Sequence, residues 1–228
     1  PSLGKTGDAS AIVWGHFLRQ LSNWLKTAHP DYEISFLPYL NTCEVPKARS
    51  WFEILGVRFQ GKGWRTPLGN AEAQVCTMPG VALMKNRRCK RNEERIIRDW
   101  QAATGRKVLN WHYSCWPQEW TAAPYVFGHT IQEHYADMRE VLCGSYICGS
   151  EEDPRMALSL YVWMRCLWNP DVNVEAIYDE FAFRTFGPAA VPMRRLIALQ
   201  EACWNRQWKT DDCSYRNIFE VSFRREDV

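Results

Sequence analysis

The stretch LSLYVWMRCLWNPDVNVEAIYDEFAFRTFGPAA, residues 158–190, decides how this chain folds. Apolar residues recur at helical spacing on both sides of Asn169-Pro170, so the stretch reads as two helices joined by a proline turn. In the second helix Val174, Ile177, Tyr178 and Phe181 share one face, which is core spacing. A strand over residues 141–146 precedes the pair, and a last helix over about 191–208 comes after it.

Working back toward the N-terminus, helices and strands alternate. Residues 10–28 line up Val13, Phe17, Leu18, Leu21, Trp24, Leu25 and Ala28 on one helical face, with Asp8 or Ser10 as N-cap. Residues 32–40 (YEISFLPYL) read as a buried strand, 48–55 as a short helix and 57–60 as a short strand. Residues 61–86, rich in Gly, Pro and polar side chains, read as a long loop. The basic run at 85–95 is interrupted by Glu93 and Glu94 and reads as a solvated loop and helix start. Residues 92–104 form a helix with Ile96, Ile97 and Trp100 inward and Gly105 as its cap. Residues 107–113 (KVLNWHY) are a strand, 114–124 an aromatic loop and 129–139 a helix.

Such alternation implies a parallel sheet with covering helices, an α/β protein. No GxGxxG follows a strand, and neither GxxxxGKS nor GxxxxGKT occurs, so nucleotide-binding versions lose support and no cofactor is expected. Four strands are too few for a closed eight-stranded barrel, which takes about 250 residues. The expectation is therefore a (β/α)8 TIM-barrel-like fold of which residues 1–208 supply the C-terminal half and terminal helices, with a tail at 209–228.

The 228 residues are 46% apolar and 24% charged, ample for a buried core. A net charge of +2 argues for neither nucleic acid nor a membrane surface as partner, and no apolar run approaches the roughly 20 residues of a membrane span. The first residues, PSLGKTGD, show no signal-peptide pattern and no initiator Met, which fits a processed product or a piece of something longer. Nine cysteines, none in a CxxC pair, read as buried thiols, with a partial disulfide set as the alternative. Twelve Trp, nine Tyr and ten Phe tilt the reading toward carbohydrate, because flat rings make platforms for sugars.

In parallel α/β proteins, functional groups gather at the C-terminal ends of strands. That rule picks out four patches: Tyr39, Asn41, Thr42 and Glu44; Arg58 and Gln60; Asn110 to Tyr113 with Trp116 and Trp120; and Tyr146, Cys148, Glu151, Glu152 and Asp153. The third patch joins hydrogen-bonding groups to aromatic faces, as a sugar subsite does, although Trp111 and Tyr113 would also serve as packing under the loop. The fourth patch holds the dense carboxylates. Glycoside cleavage needs an acid and a base or nucleophile about 5–9.5 Å apart, and Glu151 or Glu152 would supply one. GSEEDP is also an ordinary acidic helix N-terminus. No HExxH, no paired Cys/His ligands and no GxSxG occur, so no metal site is expected.

The string LWNPDVNVEAIYDEF, followed by FGPAA and MRRL, resembles the end of domain-of-unknown-function family 4838, itself similar to alpha-glucuronidases of glycoside hydrolase family 67. LSNWLKTAHPDYEISFLPYLNTCEVPK, KVLNWHY and VLCGSYICG resemble further segments of that family, over about residues 8–205. The resemblance implies a (β/α)8 barrel, a secreted or periplasmic setting, and carboxylates where this chain has His112 and Ile147.

The resulting expectation is a glycoside hydrolase-like protein that cleaves a glycosidic bond by acid/base chemistry, on a glycan that includes uronic acid if the resemblance carries over. Glu151 or Glu152 is the carboxylate and His112 a polar or proton-relay group. Trp111, Tyr113 and Trp116 form the sugar platform, Tyr39, Asn41 and Gln60 bind hydroxyls, and Arg58 meets a uronic carboxylate. The alternatives are a carbohydrate-binding barrel without catalysis, or a structural part of a larger assembly partnered by the missing part of its own barrel or by another chain.

Overall fold

The computed structural model describes residues 3–45, 68–77, 85–113, 126–148 and 156–206. Among these the order is α1 (Leu3–Ala28), β1 (Ile34–Phe36), β2 (Ala71–Cys76), α2 (Arg87–Thr104), β3 (Val108–Tyr113), α3 (Gly128–Asp137), β4 (Leu142–Cys148), α4 (Ala157–Trp168), α5 (Val174–Phe186) and α6 (Ala190–Trp204). The four strands form one parallel sheet in the order β1-β2-β3-β4. By its contacts the chain divides into two units. One comprises Pro1–Met78, Glu93–Trp111 and Glu140–Tyr146, the other Pro79–Asn92, His112–Arg139 and Ile147–Val228.

One strand overturns the sequence reading. The expected long loop at 61–86 contains β2, whose AEAQVC buries alternate residues. Ala71, Ala73 and Val75 are fully buried, while Glu72 and Gln74 between them are half-exposed. Two alanines are weak strand formers, and burial between β1 and β3 overrides that weak preference. The helix expected at 48–55 and the strand expected at 57–60 lie outside the described residues.

In the first unit the pairings Ser35↔Glu72 and Gln74↔Leu109 fix which side chains share a face. Ile34, Phe36, Ala71, Ala73, Val75, Val108 and Asn110 point to one side, and all are buried. Trp100 of α2 closes over that side, its ring edge-on to Phe36 at 5.2 Å and its Nε1–H donating to the Cys43 carbonyl at 2.6 Å. Gly105 ends α2 at φ 72°, a left-handed conformation that favours glycine.

In the second unit the 158–190 stretch folds as its sequence indicates. Helix α4 stops at Trp168, and Asn169 and Pro170 make the turn, with the Asn169 side chain accepting from the Asp171 N–H at 3.0 Å. Asn173 then caps α5 by accepting from Ala176 N–H at 3.1 Å. Val174, Ile177 and Tyr178 are buried as the spacing requires, and Phe181 is half-buried. Among the described residues Cys43, Cys76, Cys143, Cys166 and Cys203 form no disulfide, whereas Cys89 is disulfide-bonded.

Candidate functional site

The other side of the sheet in the first unit carries Ser35, Glu72, Gln74, Leu109 and Trp111. Ser35 is exposed and the other four are half-exposed. At the C-terminal ends of β3 and β4, Trp111 stacks on Tyr146, with ring centroids 3.9 Å apart and planes inclined by 26°. Half of Tyr146 is open to solvent (50%). The backbone behind the stack is tied together. The Asn110 amide donates to the Val75 carbonyl at 3.1 Å, and the Ser145 hydroxyl donates to the Asn110 carbonyl at 2.8 Å. Gly144 lets β4 come close, since a Cβ there would sit 3.0 Å from the Leu109 side chain. Gln74 Nε2 donates to Ser35 Oγ at 2.7 Å. The buried indole N–H of Trp111 has no acceptor among the described residues.

Near the same strand ends the remaining groups of this unit are engaged. Thr77 donates to the buried Glu93 carboxylate. Thr42 Oγ1 donates to the Tyr39 carbonyl at 2.9 Å and accepts from the Tyr39 N–H at 3.2 Å, which fixes the turn after β1. Leu40 within that turn adopts φ 49°. Glu44 pairs with Arg95 at 2.9 Å. The Cys43 thiol lies 3.3 Å from the Cys76 carbonyl, and burial, then Cys76, pushes it up to about 12, so it stays protonated.

His112, in the second unit, is fully buried in an aromatic layer. Its ring lies 4.8 Å from Trp163, 5.4 Å from His134 and 6.3 Å from Tyr135. The Trp163 Nε1–H donates to the Tyr135 hydroxyl at 2.5 Å. Among the described residues, neither nitrogen of the His112 ring has a hydrogen-bond partner. Burial, and then His134, hold its pKa well below the usual histidine range, and burial holds that of His134 at about 3. Both rings are therefore neutral at physiological pH.

A second polar constellation in this unit escaped the sequence reading. The buried Glu201 carboxylate of α6 accepts from the His129 ring Nδ1 at 2.7 Å, from the His129 backbone N–H at 3.0 Å and from the Tyr178 hydroxyl at 3.0 Å. Tyr178 in turn accepts from the Gly128 N–H at 2.9 Å. Two free N–H groups at the start of α3 are thus satisfied by groups from α5 and α6, where Phe127 offers no side-chain cap. His129 Nε2 faces Glu175 at 3.3 Å, Glu175 pairs with Arg194, and Arg194 donates to Asp179 at 2.8 Å. The Glu201 bond raises the His129 pKa. Burial pushes Glu201 up, but the bonds from His129 and Tyr178 outweigh it and hold the carboxyl below its ordinary range.

One ligating atom from each of His129, Glu175 and Glu201 lies within 4.8 Å of the others, so among the described residues these could take a metal ion. Here the imidazole itself bridges the two carboxylates, and Arg194 supplies a further cation. Only distant spacing links the members of this set along the chain, which is why no local motif reveals it. Gly128→Ala tests the cluster's packing, because a Cβ there would lie 2.3 Å from the Tyr178 hydroxyl. The expected loss is about 1–3 kcal/mol in urea unfolding, and a neutral result would mean that Tyr178 is not fixed at this spot.

Of the residues singled out from sequence, the structure joins Trp111 to Tyr146 and buries His112. Tyr39 lies at the turn after β1, and the side chains of Asn41 and Tyr113, with all of Arg58, Gln60, Trp116, Glu151 and Glu152, lie outside the described set.

The family model described as Domain of unknown function (DUF4838) matches residues 3–198, most of the chain. No match is found among curated proteins or among solved structures.

Proposed function

This chain belongs to the DUF4838 family, and we propose that it is a carbohydrate-active protein whose glycan lies on the Trp111–Tyr146 stack. The supporting observation is that stack, with its half-open tyrosine, at the C-terminal ends of two parallel strands. A pyranose has one face of C–H groups, which packs on an aromatic ring while its hydroxyls point outward to polar side chains. In the fuller form of this reading, the sheet is the C-terminal half of a (β/α)8 barrel similar to alpha-glucuronidases, which use that end of the strands for chemistry.

One carboxylate of the hydrolysis is assigned to Glu151 or Glu152. Glu151 follows Tyr146 by five residues in the sequence. One carboxyl would protonate the leaving oxygen and a second would act as base or nucleophile. His112 takes a packing role in this scheme, since its ring is buried and neutral. The second reading, binding without turnover, draws on His112 and Ile147 standing where the resemblance implies carboxylates. A chromogenic-glycoside screen separates the two. Glu151→Gln or Glu152→Gln is expected to lower hydrolysis by at least about 100-fold. Full activity in both variants removes the assignment, and no activity in wild type alongside glycan binding supports the second reading.

A further inference from the structure

Resting on the glycan assignment to the Trp111–Tyr146 stack, we infer that the ligand is an extended neutral oligosaccharide lying across the strands, from that stack to a second polar subsite made by Gln74 and Ser35. Register puts Ser35, Gln74, Leu109 and Trp111 on one face of the sheet, and the Trp111 stack adds Tyr146. That row crosses all four strands, three strand spacings or about 14 Å, longer than a single pyranose ring. Aromatic rings stand at one end and an amide and a hydroxyl at the other.

The pairing of Gln74 Nε2 with Ser35 Oγ leaves the Gln74 Oε1 as an acceptor and the Ser35 hydroxyl proton as a donor, a complement for a sugar diol. Charge selects against acidic sugars. Glu72 stands on the same face, directly paired with Ser35 and two residues before Gln74, so a uronate bound at this subsite would meet a like charge.

Isothermal titration with glucose, with neutral cello-, xylo- and manno-tetrasaccharides and with tetragalacturonate tests the assignment. A neutral tetrasaccharide is expected to bind at least about 10-fold tighter than the monosaccharide and than tetragalacturonate. Gln74→Ala is expected to cost the tetrasaccharide about 3–10-fold and leave single-sugar binding unchanged. Equal affinity for one and four sugars, an unaffected Gln74→Ala variant, or preference for tetragalacturonate overturns the inference while the stack remains the binding site. Absence of glycan binding, or unchanged binding in Trp111→Ala, overturns the underlying reading as well.

Discussion

Glu201→Ala is expected to destabilise the protein by about 1–3 kcal/mol, the range for leaving buried donors without their acceptor, with the part-exposed His129 ring adding little. One carboxylate answers three donors: the His129 ring, the His129 backbone N–H and the Tyr178 hydroxyl. Removing it leaves a buried hydroxyl and a helix-start N–H without their acceptor, while the part-exposed imidazolium keeps Glu175 and solvent. Gln in place of Glu keeps the shape and one acceptor, so Glu201→Gln should cost less than Glu201→Ala. The pH profile carries its own signature. The folded pKa of His129 is raised above 6.5, so its contribution is fully present below about pH 6.5 and lost as pH rises through the folded value. Glu201 is held below 4.5, so its contribution is present above about pH 4.5 and lost as pH falls through the folded value. The penalty of Glu201→Ala in urea unfolding should therefore be largest between those limits and smaller near pH 9. A penalty below about 1 kcal/mol, or one independent of pH, would show that the pair is not formed.

Acid should act through the other histidines, with the opposite sign. His112 and His134 are buried and neutral, with folded pKa values below 6.5 and, for His134, about 3. Below pH 6.5 the unfolded chain takes up protons that the folded chain refuses, so stability falls as pH drops from 6.5 toward 3. Each histidine contributes a slope of up to about 1.4 kcal/mol per pH unit, or about 2 kcal/mol by pH 5. His112→Phe keeps a flat ring against Trp163 and removes two nitrogens that have no partner among the described residues. It is expected to stay within about 1.5 kcal/mol of wild type at pH 7. At pH 5 it should retain about 2 kcal/mol more of its pH 7 stability than wild type does. Equal losses in the two proteins would mean that His112 can be protonated in place.

The local order of helices was legible because it rests on local signals. Asn169-Pro170 breaks the 158–190 stretch, Asn173 caps α5, and the spacing of Val174, Ile177 and Tyr178 marks the buried side. Strand β2 was not legible, because Ala71 and Ala73 gain their strand conformation from neighbours far along the chain. The candidate site was legible in part. Position at a strand end marked Trp111, but the partner that makes it a platform, Tyr146, lies 35 residues on and is set by sheet pairing. His112 next door carries the same strand-end signal, yet strand alternation turns it away from Trp111 into an aromatic layer, which pattern alone does not distinguish from a site. The His129–Glu201 pair spans 72 residues and depends on three helices, so nothing local announces it.

Glycan-array binding of the wild-type chain beside Trp111→Ala and Tyr146→Ala tests the carbohydrate assignment most directly. The expected result is binding of at least one glycan class by wild type, weakened at least about 10-fold in each variant while both keep the wild-type melting temperature within a few degrees. No glycan bound by wild type, or variants that bind as it does, would contradict it.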